Sequence, residues 1–331
     1  MPFIIAELSA NHNQDLDLAK KTLHAIARSG ANAVKFQTYK PSCLTLDSNL
    51  EYFKIKSGLW KDKTLWELYE EAYMPWEWHE ELYKLAKELK LVAFSSPFSV
   101  EGVKFLETLN NPIYKVASFE VGHVPLLKAI AKTKKPVILS TGVCNDDELE
   151  NALSILKGLD ITLLHCTSSY PATLAKSSLY KIKDLQAKYP SCKIGLSDHT
   201  LGYAAPLIAL SLGASTIEKH FILDKSLGGV DSAFSMDEGE FKEMVDVLKD
   251  AKKALSKDLT SKEVDIKAGR EFARSLFIVR DAKKGEVITK DLLACVRPNL
   301  GLSPLKLESI LGKKLACDVS KNHPLKKDDI D

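Results

Sequence analysis

The sequence predicts an α/β fold, a (β/α)8 TIM barrel followed by a small β-rich domain, and three observations support this. Residues 2–255 repeat one unit eight times, a short apolar strand followed by an amphipathic helix. Several strands are apolar on both faces, as expected for parallel strands covered by helices. After residue 255 a polar stretch leads into short β-like runs with turn signals. We therefore expect a barrel over 1–255, a linker over 256–270 and a small domain over 271–331.

The eight predicted strands share short runs rich in Val, Ile, Phe and Leu. They cover 2–8, 33–39, 91–98, 113–119, 136–141, 161–167, 193–199 and 216–221. Apolar residues at i, i+3 and i+4 predict helices over 16–30, 76–90, 146–159 and 241–255. A doubly wound open sheet is the alternative fold. No glycine-rich nucleotide-binding motif follows any strand, and the count of eight favours the barrel.

Residues 40–75 interrupt this repeat, and we call them the 40–75 insertion. The segment is long for a βα loop and rich in aromatic residues. Loops at this end of a barrel often carry functional residues. We expect the insertion to contribute to the site, to cover the rim of the barrel as extra helices, or to do both.

The C-terminal segment contains a weak internal repeat. DAKKGEVITKDLL begins at Asp281 and DVSKNHPLKKDDI begins at Asp318, and the two align without gaps. Both copies have Asp first, Lys fourth and an apolar residue eighth. Two copies predict a small pseudo-symmetric β domain.

Composition excludes several classes of function. The 331 residues carry 46 basic and 44 acidic side chains, a net charge of +2, so no strong field favours nucleic acid. We expect no membrane helix and no signal peptide, because long apolar runs and a charged N-terminal region are absent. The six cysteines form no CxxC pair, which is typical of reduced thiols in a cytoplasmic protein.

In a barrel of this type the site lies at the C-terminal ends of the strands. In the second strand Val34 and Phe36 share one face, so Lys35 and Gln37 should point into the barrel. A buried lysine needs an anion or a carboxylate, because an unpaired buried ammonium is costly. The alternative is that Lys35 reaches back to the solvated rim.

Other polar side chains also lie at or near strand ends. The orientation of Lys115 in the fourth strand is left open by the alternation. Two lysines and a ring of hydroxyl groups are suited to a phosphate or a carboxylate. The polar strand-end residues include Glu7, Ser96, Ser118, Glu120, Ser140, Ser168, Tyr170, Ser197 and Glu218.

His199 and His220 each close a strand and lie 21 residues apart, the length of one βα unit. Neighbouring parallel strands are about 4.8 Å apart, so the two imidazoles can reach one divalent ion. Imidazole nitrogen is suited to manganese, cobalt or zinc. His12 could join them or cap a loop, and His165 is predicted to lie in the core.

Ten segments together resemble the sialic acid synthase family over nearly the whole chain. They are IIAELSANHNQ, AVKFQTY, FSSPFS, YKVASFE, ILSTGV, CTSSYP, IGLSDHTLGY, IEKHF, FARSLFIVRDAKKGE and VRPNLG. ELSANH, GLWKDKTLWELYEEAYMPWEWH and GVDSAFSM resemble the pseudaminic acid synthase branch of that family. Gln14 and Ser168 replace the usual glycine and asparagine, which counts against N-acetylmannosamine as the substrate.

The resemblance implies a TIM barrel with an antifreeze-like (SAF) domain, a domain-swapped homodimer and a divalent ion, Mn²⁺, Mg²⁺ or Co²⁺. It also implies condensation of phosphoenolpyruvate with 2,4-diacetamido-2,4,6-trideoxy-β-L-altropyranose to give pseudaminic acid and phosphate, a step towards flagellin glycosylation. The implied roles are metal binding by His199 and His220, and phosphoenolpyruvate binding by Lys35, Ser96, Lys115, Ser118, Ser140, Ser168 and Ser197. Glu7 and Gln37 are implied near the reacting atoms, Tyr170 and Asp231 near the substrates, and Arg297 from the partner chain.

Three alternatives remain open at this point. An N-acetylneuraminate or legionaminic acid synthase differs only in its sugar. A class I aldolase would form a Schiff base at Lys35 or Lys115. A non-catalytic carbohydrate-binding protein would use the SAF domain, although paired histidines and inward charged residues do not favour simple binding.

Overall fold

The computed structural model describes residues 1–255 and 268–331 of the chain. The chain divides into two compact units, Met1–Leu255 and Ser256–Asp331. The predicted linker over 256–270 falls mostly outside the described residues. Among the helices that the structure describes, none is both long and apolar enough to cross a bilayer.

The first unit is a closed barrel of eight parallel strands in the order β1 to β8. This confirms the predicted fold and excludes the open sheet. The strands are β1 Phe3–Glu7, β2 Ala33–Thr38, β3 Val92–Pro97, β4 Tyr114–Val116, β5 Val137–Ser140, β6 Ile161–Cys166, β7 Lys193–Asp198 and β8 Thr216–His220. β4 is shorter than predicted, because the chain turns after Ala117 and Ser118–Glu120 form a 3-10 helical turn.

Helices carry the connections between the strands, and most of them cover the outside of the barrel. They are α1 Leu16–Ser29, α2 Pro41–Leu44, α3 Leu65–Ala72, α4 His79–Glu88, α5 Val100–Thr108, α6 Val124–Thr133, α7 Asp146–Ile155, α8 Lys181–Lys188, α9 Ala204–Ser211 and α10 Glu238–Ala254. The helix predicted over 76–90 begins only at His79, because Trp76–Trp78 form a 3-10 turn after Pro75.

Side-chain alternation along the strands produces two layers. Outward residues such as Ile4, Val34 and Leu163 pack with the helices in the main hydrophobic core. Inward residues form a separate apolar cluster inside the barrel, namely Ile5, Ala33, Phe94, Ile138 and Leu164. The next inward positions on these strands are Glu7, Lys35, Ser96, Ser140 and Cys166, so the apolar cluster forms the floor of a mainly polar barrel mouth.

The 40–75 insertion contains α2, a 3-10 turn at Glu51–Phe53, and α3. Thr64 and Glu67 form a reciprocal capping box that begins α3. The Trp60 indole N–H donates to the carbonyl of Val230 at 3.0 Å. The Gln14 side-chain amide donates to the carbonyls of Glu71, at 3.3 Å, and Tyr73. The insertion is therefore fastened to the loops that follow β1 and β8.

The C-terminal unit holds two antiparallel strands, β9 Ser275–Ile278 and β10 Leu293–Val296, and a short helix, α11 Leu307–Ile310. Its own apolar core contains Leu276, Ile288 and Leu325 among others.

The internal repeat corresponds to a pseudo-two-fold arrangement. Asp318 accepts a hydrogen bond from the Lys284 backbone at 2.9 Å, and Asp281 accepts one from the Lys321 backbone at 2.8 Å. The first residue of each copy thus binds the fourth residue of the other.

A substitution at Gly195 tests how closely side chains pack inside the barrel. A Cβ at this position would lie 2.7 Å from Leu164 Cδ2 and would also meet the Thr216 carbonyl. We expect Gly195→Ala to lower the free energy of unfolding by about 1–3 kcal/mol through overpacking. Calorimetric melting measures this. Gly239→Ala, where the added carbon meets only Asp237 Oδ1 at 3.5 Å, is the control. Equal melting temperatures for Gly195→Ala and the unmodified protein would contradict the packing argument.

Candidate active site

A cavity of about 460 Å³ opens at the C-terminal ends of the barrel strands. The strand ends form its polar base, and the 40–75 insertion forms part of its wall. Most of the predicted site residues line it: Glu7, Lys35, Gln37, Lys115, Ser118, Ser140, Ser168, Tyr170, Ser197, His199, His220 and Asp231. The structure therefore brings together residues that lie up to 224 positions apart in the chain.

Two predicted residues do not line this cavity. Ser96 is buried, and its hydroxyl has no hydrogen-bond partner among the described residues. In the β2–β3 register it pairs with Gln37, which does line the cavity. Arg297 lies in the C-terminal unit just after β10, where it is exposed.

Strand register explains why the charged residues meet. Glu7 pairs with Lys35 across β1–β2 and with His220 across β1–β8. Ser197 pairs with Glu218 across β7–β8, so His199 and His220 occupy the next matching positions. Their ring centroids are 5.3 Å apart, close enough for both rings to face one ion.

Lys35 is only 3% exposed, so it does not reach back to the rim. Its ammonium lies 2.7 Å from Glu218 Oε1 and 2.9 Å from Glu7 Oε2. The orientation predicted from alternation, with Lys35 and Gln37 pointing inward, agrees with these contacts. Burial by itself would raise the pKa of Glu7, but the nearby cations, Lys35 foremost, hold that pKa well below its usual range.

Lys115 also points into the barrel, which resolves the orientation that the sequence left open. Its ammonium lies 3.3 Å from Glu218 Oε1, and burial lowers its pKa despite that carboxylate. The Ser118 and Ser168 hydroxyls are 3.0 Å apart, and the buried Ser140 hydroxyl has no partner. This side of the cavity holds more donors than acceptors, so it is suited to an anion.

A second part of the cavity, around the two histidines, is suited to a cation. His220 lies between two carboxylates, with Nε2 3.3 Å from Glu7 Oε2 and Nδ1 3.5 Å from Asp231 Oδ2. Burial alone would lower the pKa of His220, but these carboxylates raise it above its usual value. The site therefore attracts positive charge, either a proton or a metal ion.

His199 has the orientation expected of a metal ligand. Its Nδ1 lies 3.1 Å from the Thr167 carbonyl, which can only accept a hydrogen bond. Nδ1 therefore carries the proton, and Nε2 keeps its lone pair. Tyr170 packs against the ring at a centroid distance of 4.5 Å.

The two histidines fit a divalent ion that keeps open coordination positions. Across residues 1–255 and 268–331, no group of three or more His, Cys, Asp and Glu side chains has the geometry of a metal site. An ion held by His199 and His220 would therefore have positions left for water or substrate. His12 is not among the residues lining the cavity. Its Nδ1 instead accepts a hydrogen bond from the Gln14 backbone at 3.1 Å, as the loop-capping alternative expects.

Two acidic residues at the site were not assigned a role from the sequence. Glu218 lies on the inward face of β8 two residues before His220, a spacing that could have revealed it. Glu120 lines the cavity, and its Oε2 atom has no partner. Burial raises the pKa of Glu120 to about 7. It lies on the turn after β4, and the alternation of side chains along a strand does not predict the orientation of a residue on a turn.

The NeuB family matches residues 22–260, and a SAF domain matches residues 273–331. The chain is 48% identical to a pseudaminic acid synthase of Helicobacter pylori, covering 100% of this chain and 98% of that protein. It is 44% identical to a pseudaminic acid synthase of Campylobacter jejuni, covering 99% and 96%.

A solved structure of N-acetylneuraminic acid (sialic acid) synthetase from Leptospira borgpetersenii, in complex with citrate, is also similar. Its TM-score is 0.72 at 32% sequence identity, over 81% of this chain and 91% of that one. The shared barrel, the full-length likeness and the match over 22–260 show that this chain belongs to the NeuB family and ends in a SAF domain.

Proposed function

We propose that this protein is a pseudaminic acid synthase, a carbon–carbon bond-forming transferase. It condenses phosphoenolpyruvate with 2,4-diacetamido-2,4,6-trideoxy-β-L-altropyranose and releases phosphate. The observation that carries the proposal is that one cavity joins an anion-binding side, around Lys115, to a cation-binding side, at His199 and His220. Full-length likeness to proteins of that name supports the choice of sugar.

Phosphoenolpyruvate is proposed to bind on the anion-binding side. Lys35, Lys115 and the hydroxyls of Ser118, Ser140, Ser168 and Ser197 offer donors to its carboxylate and phosphate. Because Lys115 has a single carboxylate contact, at 3.3 Å, it can turn towards an incoming anion at little cost. Lys35, held by Glu7 and Glu218, contributes fixed positive charge instead. Ser96, buried below the lining with a free hydroxyl, is retained as a supporting residue.

The open-chain sugar is proposed to present its C1 aldehyde to His199 and His220. A divalent ion held by these two side chains (Mn²⁺, Mg²⁺ or Co²⁺) would polarise the aldehyde oxygen and stabilise the alkoxide that develops there. Asp231, near His220, and Tyr170, against His199, border the sugar. Carbon C3 of phosphoenolpyruvate then bonds to C1 as the π bond of the aldehyde opens and its oxygen takes up a proton, which leaves a cationic centre at C2. Water adds to C2 and loses a proton, and the tetrahedral intermediate expels phosphate as the bond from C2 to the phosphate oxygen breaks.

Glu7 and Glu120 are proposed to have different roles because their environments differ. Glu7 remains ionised beside Lys35 and accepts a hydrogen bond from Gln37 at 2.9 Å. It is placed to steady the cationic centre or to receive the proton of the attacking water. Glu120 shares a turn with Ser118 and lines the same cavity as Lys115 and Tyr69. We assign it the proton that the departing phosphate takes up.

We also propose a domain-swapped homodimer in which Arg297 of one chain serves the site of the other. The motif VRPNLG and the exposure of Arg297 support this. An exposed guanidinium is free to bind a carboxylate or phosphate in the bidentate manner that arginine favours.

Phosphate release measures the proposed activity. We expect turnover with phosphoenolpyruvate, manganese and 2,4-diacetamido-2,4,6-trideoxy-L-altrose to exceed that with the gluco isomer or N-acetylmannosamine. Mass spectrometry should find a nine-carbon acid and, after borohydride treatment, no protein adduct. Preference for N-acetylmannosamine would overturn the choice of sugar. A borohydride-trapped adduct at Lys115, whose pKa is lowered, would favour the aldolase instead.

Metal dependence is tested by removing the ion and its ligands separately. We expect a chelator to abolish phosphate release and Mn²⁺ to restore it. Calorimetry should detect Mn²⁺ binding to the unmodified protein and not to His199→Ala or His220→Ala, because each retains only one imidazole ligand. His24→Ala, an exposed site on α1, is the control and should bind normally. Unchanged Mn²⁺ binding by both ligand variants would rule out this site.

Glu120 gives a testable pH dependence. Its pKa is raised to about 7, so its proton is present below that pH and lost above it. If it donates a proton to phosphate, kcat/KM falls as the pH rises through about 7. Glu120→Gln has no proton to lose, so we expect lower activity and a profile without this limb. A limb that persists unchanged in Glu120→Gln would assign it to another group.

A further inference from the structure

One face of α3 lines the cavity at helical spacing. Leu65, Leu68, Tyr69 and Ala72 occupy positions i, i+3, i+4 and i+7, and all four border the cavity. Leu68 is 6% exposed and Ala72 is 8% exposed. Neither belongs to the hydrophobic core clusters of the barrel. The apolar face of this helix is therefore turned to the cavity, although an amphipathic helix on a barrel usually packs against the core.

The other residues of the insertion that line the cavity are also uncharged. Leu44, Ile55 and Trp60 also line the cavity, and Ser57 is the one hydroxyl that this segment adds, apart from the Tyr69 phenol. The charged residues of the insertion are numerous, yet none of them borders the cavity. The cavity thus has a charged base at the strand ends and an uncharged, mainly apolar roof.

This roof is anchored independently of any ligand. A capping box begins α3. The Gln14 side-chain amide donates to the carbonyl of Glu71, in the last turn of α3, and to that of Tyr73, just beyond the helix. Trp60 is bonded to Val230 and packs against Tyr170 at 5.7 Å between ring centroids. A surface held in place before binding can discriminate between ligands, because little conformational freedom is lost when the ligand enters.

We propose that the α3 face formed by Leu65, Leu68 and Ala72 determines sugar specificity by receiving methyl-bearing substituents. This inference rests on the proposed function. When C1 of the sugar lies at the histidines, its far end extends away from the charged base towards the roof. A C6 methyl and the methyls of the acetamido groups can be buried there, whereas a C6 hydroxyl finds no polar side chain among Leu65, Leu68 and Ala72. Burying an unpaired hydroxyl is unfavourable.

The expected size of the effect is limited. An apolar pocket rejects a ligand that merely adds a hydroxyl by only about 100-fold. We therefore expect kcat/KM of the unmodified protein to be about 10- to 100-fold higher for the 6-deoxy sugar than for its 6-hydroxy analogue. Both compounds are 2,4-diacetamido sugars, so the comparison isolates the group at C6.

Leu68→Gln places an amide of similar length on the α3 face. We expect it to lower kcat/KM for the 6-deoxy sugar by at least about 10-fold and to bring the ratio between the two sugars close to one. The KM for phosphoenolpyruvate should stay the same, because the proposed partners of phosphoenolpyruvate are lysines and hydroxyls outside α3. Glu70→Gln, on the exposed face of the same helix, is the matched control and should behave as the unmodified protein does.

Two outcomes would overturn the inference. One is a ratio near one for the unmodified protein, which needs no substitution and so does not depend on whether a variant folds. The other is an unchanged ratio in a Leu68→Gln protein whose melting temperature is normal. If the unmodified protein releases no phosphate with either sugar, the result is a different one, because it contradicts the proposed function itself.

Discussion

The structure depends most on how the barrel tolerates charge in its interior. Glu218 is buried, and a carboxylate there is costly unless cations accompany it. Lys35 at 2.7 Å, Lys115 at 3.3 Å and the Ser197 hydroxyl at 3.1 Å all converge on one of its oxygens. Glu7 closes the network through Lys35. The apolar cluster around Phe94 lies below these residues, so the paired charges are held at the mouth.

This network also explains why the two lysines have different roles. Lys35 contacts two carboxylates, and its pKa is raised above the usual range, although burial alone would lower it. Lys115 has one carboxylate contact, at 3.3 Å, and burial lowers its pKa. The first lysine therefore offsets the charge of two carboxylates, and the second is available to a ligand. Preorganised charge of this kind stabilises developing charge without rearrangement during the reaction.

The sequence predicted most of the fold and much of the site because both follow from a short repeat. Alternation placed Lys35 and Gln37 inward, and matching strand ends placed His199 beside His220. The roles of residues outside regular strands were harder to predict from the sequence. Glu120 lies on a turn, and the role of Glu218 appears only when lysines from two other strands are seen around it. The sequence also could not predict that the apolar face of α3 is turned to the cavity. Hydrophobic periodicity predicts that a helix has an apolar face, but it does not identify what that face packs against.

The reciprocal bonds of the C-terminal repeat have a consequence for how that unit assembles. Asp281 and Asp318 each complete a turn that belongs to the other copy. The two copies also meet at the bridge between Ala282 and Val319, which are equivalent positions in the repeat. The backbone N–H groups of Lys284 and Lys321 thus bond to a carboxylate of the other copy, and a single copy would leave these donors to water. We therefore expect the two copies to become ordered together.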